Sequence, residues 1–355
     1  ELEEIKGKGF IKIYNMKEWL TLIYLGKELP SKSEFDMDYE EYIRSLKKAN
    51  EITDEEAVLR FQDKTSRLEY EISNLFQYNN RLIHGQIITF VPFLQESSFV
   101  TQIGKSFITN ERVEEAIKAI RAIDYSLFYR EEAYDNESLE IRREYVVKEI
   151  FPDIILFPVS GENGIMWQEV SGRKRNSKGR ILLPSFSMGN LRDILIKVFG
   201  RYRWELCRTM QGSAWNNIKY KSLTSEYMDY IQFYRKNRDL SEDKKERLKA
   251  QIQKSRNNSK EVFVMDYEIW ISFESKGAIR LNKVVREMLA TYCPLSREIR
   301  DKQREQPLFA DAMSRFQMQR ANKVRALELL VHSLEKNGKD VPSEIQNTLL
   351  YYKEA

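Results

Sequence analysis

The sequence predicts a mainly α protein of the α+β kind: bundle-like helical regions with a small antiparallel β-hairpin sheet near residues 153–183. Three observations carry this. Gly and Pro are scarce, at 14 and 8 of 355 residues, and Glu, Lys and Arg are abundant, a balance that favours helices over strand-and-turn folds. Apolar residues recur at helical spacing through both ends of the chain. Around 153–183 the pattern changes to short apolar runs separated by turn residues.

The elements follow in order. Asn15 with Glu18 forms a capping-box pair ahead of Trp19, Leu20, Leu22 and Ile23, which predicts a helix from Met16 to a left-handed stop at Gly26. A second helix is expected over Asp38–Ala49. Thr53 with Glu56 opens a third, which Phe61, Leu68, Ile72, Leu75 and Phe76 carry to Ile83. Ile87–Leu94 contains Pro92 and reads as an edge strand at most. Asn110 caps a helix to Ala122, and Glu137–Ile150 reads as another, ending before Pro152.

Ile154–Pro158 and Ile165–Val170 then read as the two arms of a hairpin across Gly161–Gly164, with Ile181–Leu183 as a third strand. Helices resume near Gly189, where Leu191, Ile194, Leu195, Val198 and Phe199 form an apolar face that Gly200 interrupts. Further helices are expected over Ser222–Asn237, Ser241–Asn257, from an Asn258/Glu261 capping box to Gly277, and over Leu281–Thr291. A long last helix from Leu308 to Asn337 carries a seam of Phe309, Met313, Phe316, Leu327, Val331 and Leu334, suited to packing on another helix or a second copy. Pro342 opens a short final helix.

Composition suggests three regions: an acidic helical part (1–150), a β-hairpin and basic segment (151–221), and a helical C-terminal part (222–355). Net charge is −11 over residues 1–169, +10 over 170–221 and +5 over 222–355. Such asymmetry fits an anionic partner; it fits equally a chain whose acidic and basic parts face each other. With two cysteines and two histidines, a disulfide framework is not expected, nor is a His-rich metal site. No apolar run has the length of a membrane span. A cytoplasmic location without membrane attachment is therefore the expectation. Because the first residue is Glu1 rather than Met, an excised or processed chain is also expected.

The leading functional candidate is the basic segment. Arg173, Lys174, Arg175, Lys178 and Arg180 fall within eight positions, followed by Arg201, Arg203 and Arg208 interleaved with Tyr202 and Trp204. Cations neutralise phosphates and aromatic rings stack on unpaired bases, so nucleic acid is the leading partner and an acidic protein the next. The bland alternative is a solvated loop followed by a helix whose aromatics are core. The stripe Tyr227, Tyr230 and Tyr234 lies on one helix face and reads mainly as core.

An enzyme alternative rests on Asp153, which follows Pro152, and on Glu169. Their spacing resembles the PD-(D/E)xK nucleases, and that resemblance implies a divalent metal held by the two carboxylates, with Glu144 or Glu149 as a third ligand. Ser171 stands where that family has Lys, with Lys174 the nearest substitute. Ser187 lacks the glycines of a nucleophile elbow. Gly161–Gly164 lacks the Gly-Lys-Ser/Thr of a phosphate loop. His84 reads as a partner of the carbonyls that end its helix, His332 as structural or exposed, and Cys207 and Cys293, with no His nearby, as non-catalytic. The sequence thus points to a non-enzymatic binding or scaffold protein that needs no cofactor.

Overall fold

A computed structural model describes residues 11–33, 37–82, 107–167, 178–187 and 189–354. It is mainly helical with a small amount of sheet, an α+β protein as expected. Two compact units emerge, each from two stretches of chain: residues 1–116 with 151–198, and residues 117–150 with 199–355. Neither matches the three consecutive regions suggested by composition, because the strand pair at 129–149 packs with the C-terminal helices rather than with its neighbours in sequence.

In the first unit the strands are β1 (Ile13–Asn15), β4 (Asp153–Ser160), β5 (Ile165–Trp167) and β6 (Arg180–Phe186), in the order β1-β4-β6-β5. β1 and β4 run parallel, as do β4 and β6, and only β5 is antiparallel, to β6. The expected hairpin is therefore not formed: β6 lies between its two arms. The physical reason is visible in the strands themselves. Ile154, Ile155, Leu156 and Phe157 are all buried, and so are Ile181, Leu182 and Leu183. Such continuous apolar runs need cover on both faces, the setting of a parallel pair.

Helices α1 (Met16–Tyr24), α2 (Tyr39–Lys48), α3 (Asp54–Gln62) and α4 (Lys64–Leu82) follow β1. The capping boxes at Asn15/Glu18 and Thr53/Glu56 are both formed. The single helix expected over 53–83 is broken at Asp63, whose carboxylate accepts from the Thr65 and Ser66 amides and so starts α4 afresh. Trp19, Ile23, Leu75, Ile155, Phe157, Val159, Ile165 and Leu182 form the core of this unit. Gly164 sits so close to Leu183, Ile194 and Val198 that a Cβ there would fall 2.4 Å from a Val198 methyl. The segment expected as an edge strand at 87–94 lies outside the described residues.

α5 (Asn110–Arg121) leads into the second unit. There β2 (Tyr129–Asn136) pairs antiparallel with β3 (Ile141–Glu149). The helix expected over 137–150 is thus a strand. Its Glu and Arg content suits a helix, but Ile141, Val146 and Val147 are buried, and pairing with β2 overrides the local preference. α6 (Leu191–Gln211) runs unbroken through Gly200. That glycine does not interrupt the helix; it lets the chain carrying Val264 and Tyr267 approach, with a Cβ on Gly200 only 3.1 Å from the Tyr267 ring.

α7 (Leu223–Phe233), α8 (Glu242–Lys254), α9 (Ser259–Ser272), α10 (Lys283–Tyr292), α11 (Arg297–Arg304), α12 (Pro307–Lys336) and α13 (Ser343–Glu354) complete the unit. Tyr227, Tyr230 and Tyr234 are buried, as are Tyr202 and Trp204. The Asn258 cap takes the Lys260 amide without a capping box, because the Glu261 carboxylate instead receives two charge-assisted bonds from Arg201. The seam of α12 is covered by α10, α11 and α13 of the same chain. No helix among the described residues is long and apolar enough to cross a membrane.

Candidate functional site

The basic segment divides between the two units. In the first, Arg180 is buried. Its Nη1 donates to Ser31 Oγ at 2.6 Å, its Nη2 donates to the Leu29 carbonyl at 2.9 Å, and its guanidinium lies 4.4 Å from the centroid of the Trp19 ring. Glu71 completes the cluster. It accepts from Trp19 Nε1, from the Ser31 amide and from Ser31 Oγ, at 2.6, 2.6 and 2.9 Å. Burial pushes the Glu71 carboxyl up from its ordinary value, against the pull of Arg180. Asp153, also buried, is 2.7 Å from Lys178 and 4.0 Å from Arg180, and burial raises it too. Glu169, Arg173, Lys174 and Arg175 lie outside the described residues. Glu144 and Glu149 belong to β3, in the other unit. Among the described residues no group of three or more His, Cys, Asp or Glu is arranged to hold a metal.

The second unit takes Arg201, Arg203 and Arg208. Arg201 holds Glu261, and Arg208 sits 2.9 Å from Glu205. Arg203 is buried; its Nη2 donates to both Asp124 oxygens at 2.8 and 2.7 Å and its Nη1 to the Tyr292 carbonyl at 2.9 Å. Tyr267 and Ser126 also donate to Asp124. Burial by itself would lower Arg203, but the Asp124 carboxylate, together with Cys293, Tyr267 and Tyr351, outweighs this and pushes it above its ordinary value. Arg180 and Arg203 are therefore not surface ligands, contrary to the expectation. Each is drawn inside by a carboxylate that could not be buried alone. All five described cations of the expected set have a carboxylate within 4 Å inside their own unit.

What the segment does build is one wall of a cavity in the second unit, about 640 Å³ in volume. Arg203, Leu206, Cys207 and Met210 face it from α6, at the spacing that places residues on one helix face. Phe316, Gln319, Arg320, Lys323 and Leu327 face it from α12 on the same periodicity. β2 adds Tyr129, Arg130 and Glu131, β3 adds Glu144 and Val147, α10 adds Tyr292, and α13 adds Tyr351 and Tyr352. Lys221 stands at its edge, exposed.

The lining is cationic. It contains Arg130, Arg203, Lys221, Arg320 and Lys323 against two carboxylates, Glu131 and Glu144. Arg130 is paired with Glu132, and Arg320 donates to the carbonyls of Tyr352 and Lys353 at the end of α13. Lys221 and Lys323 form no ion pair among the described residues; Lys323 lies 5.9 Å from the Tyr145 ring centroid. Arg203 Nε, deeply buried, has no hydrogen-bond partner. A second cavity of about 520 Å³ shares Lys221, Thr291, Tyr292 and Gln319 with the first, but carries Glu226, Asp229 and Glu287.

One wall of the first cavity is tyrosine. Ring centroids are 4.5 Å apart for Tyr129 and Tyr351, and 5.0 Å for Tyr351 and Tyr352. Burial raises Tyr129 to about 12 and pushes Tyr292, Tyr351 and Tyr352 up as well. These hydroxyls stay protonated; Tyr352 donates to Glu131 at 2.8 Å. Burial also raises the Cys207 thiol, so it is not poised as a nucleophile. The lining has no histidine: His332 is exposed on α12, and His84 lies outside the described residues. The arrangement can hold an anion and pack against a flat ring.

Sequence reasoning flagged Arg203 but missed the cavity. The spacing 203, 206, 207 and 210 on one helix was available; its partner face on α12 read as a packing seam. Residues 212–351 are similar to a family described as a domain of unknown function (DUF8509), a match that covers under half of the chain and takes in the α10 and α12 sides of the cavity but not those of α6, β2 and β3. No curated protein matches, and no solved structure matches.

Proposed function

We propose that this protein is a non-enzymatic binding protein for an anionic partner, and that the cavity of the second unit receives the anion. The observation that supports this reading is the imbalance of its lining: five cations face two carboxylates, and Lys221 and Lys323 form no ion pair among the described residues. A half-buried cation such as Lys323, which forms no ion pair among the described residues, gains most from an anion supplied by a ligand, since that anion supplies the pairing a partly desolvated site favours. The cavity volume falls within the range typical of small-molecule sites. Lys221 and Arg203 both come from the basic segment, so its charge excess still contributes to the partner.

The test is a thermal-shift screen at low salt against nucleoside phosphates, inorganic polyphosphate, long-chain carboxylates and acidic peptides. At least one anion raises Tm, the rise shrinks with added salt, and the Lys221→Ala/Lys323→Ala variant loses it. If no anion raises Tm in the unmodified protein, this reading falls.

A further inference from the structure

We infer that the ligand of this cavity is a nucleoside phosphate, with its base against the tyrosine wall and its phosphate toward Lys221, Lys323 and Arg203. The inference rests on the cavity being an anion site. It adds two observations that the charge imbalance does not use.

The first is the wall itself. Tyr129, Tyr351 and Tyr352 come from a strand and a helix far apart in sequence, yet all three line the space as one aromatic cluster, with interplanar angles of 47° for Tyr129 and Tyr351 and 78° for Tyr351 and Tyr352. Aromatic faces stack on any base, and they hold a flat ring far better than a flexible chain. The second is a set of idle amides. Gln211 on α6 and Gln319 and Asn322 on α12 all face the cavity. None of these side chains makes a hydrogen bond among the described residues. A carboxamide carries both donors and an acceptor, the complement of a base edge, and three of them lining the same space as the aromatic cluster can read one.

An acyl chain, the other common amphiphilic anion, fits worse. It needs a continuous aliphatic lining, whereas the α12 face alternates Phe316 and Leu327 with Gln319, Arg320 and Lys323. The same base-and-phosphate chemistry occurs in a free mononucleotide and at the 5′ end of a strand, so both enter the test.

Isothermal titration calorimetry on the full chain decides it, with AMP, GMP, CMP and UMP as ligands. Adenosine, inorganic phosphate, dodecanoate and a 5′-phosphorylated dT10 are the comparators. A nucleoside monophosphate binds at least ten-fold more tightly than adenosine or phosphate. Lys323→Ala weakens it at least ten-fold, and Gln319→Ala, an exposed position that does not threaten folding, at least three-fold. The oligonucleotide binding more tightly than every mononucleotide assigns the site to a strand end; the reverse order assigns it to the free nucleotide. If dodecanoate or inorganic phosphate binds and no nucleotide does, the inference is overturned while the anion site stands. Nucleotide binding that ignores both Lys323→Ala and Gln319→Ala also overturns it. Failure of every anion removes the site and the inference together.

Discussion

Arg180 and Arg203 come from the same basic segment and are both buried, yet the two units use them differently. In the first unit Arg180 is closed in by Ser31, Leu29 and the Trp19 face, with Glu71 fastened to the same serine and tryptophan. In the second, Arg203 is held as firmly by Asp124 but borders a cavity and keeps one nitrogen without a partner. Burial and pairing therefore do not separate a structural cation from one at a site. What separates them is the space beside the guanidinium and the company it keeps there.

The largest effects test whether the two arginines are equally needed for folding. Arg180→Met leaves buried Glu71, and Arg203→Met leaves buried Asp124, without the neighbouring cation, and each is expected to cost about 3–5 kcal/mol in urea unfolding. The double variant Arg203→Met/Asp124→Asn should recover much of its loss, since the stranded charge is gone. No recovery would mean that Arg203 acts through packing rather than charge.

Next comes a buried acid in the second unit. Asp266 accepts from Gln251 Nε2 at 2.9 Å and from the Tyr227 hydroxyl at 3.3 Å. Burial raises it from 3.8 to about 7. The folded state thus keeps a proton that the unfolded state releases between those values. The stabilising contribution is complete at low pH, near the ordinary Asp range, and is lost as pH rises through about 7. Asp266→Asn should flatten this slope and be the more stable protein at pH 8, by on the order of 1–4 kcal/mol. Parallel stability–pH curves for the two proteins would show that Asp266 ionises normally.

Gly200→Ala is expected to cost about 1–3 kcal/mol, because the new methyl meets the Tyr267 ring. Circular dichroism should show no loss of helix, which separates a packing role from a helix break. The smallest effect on stability belongs to Lys323→Ala, within about 0.5 kcal/mol. Set beside its expected loss of ligand binding, that sharpens the contrast: Arg180 holds structure, and under the proposed function Lys323 would serve only the ligand and Arg203 both.

Much of the helical architecture was legible locally. Asn15 and Thr53 are caps where their spacing to Glu18 and Glu56 placed them, and Gly26 and Gly277 take the left-handed conformation that ends their segments. These features depend on groups three to five residues apart, so the sequence carries them directly. Of the site, Arg203 was legible as a surface cation, Glu144 as a metal ligand, and Phe316 and Leu327 as a packing seam, but not their meeting around one cavity.

The sequence by itself determined the helical class, the caps and stops, the apolar faces and the uneven charge. Only the tertiary structure decided that β4 pairs with β6 instead of β5, that 141–149 is a strand, and that α6 passes through Gly200. It alone brought five separated stretches of chain around one cavity. Each of these outcomes turns on contacts between residues distant in the chain, such as β2 against β3 or Tyr129 against Tyr351. Propensity and periodicity weigh only neighbours, and a partner that arrives from two hundred residues away can outweigh them.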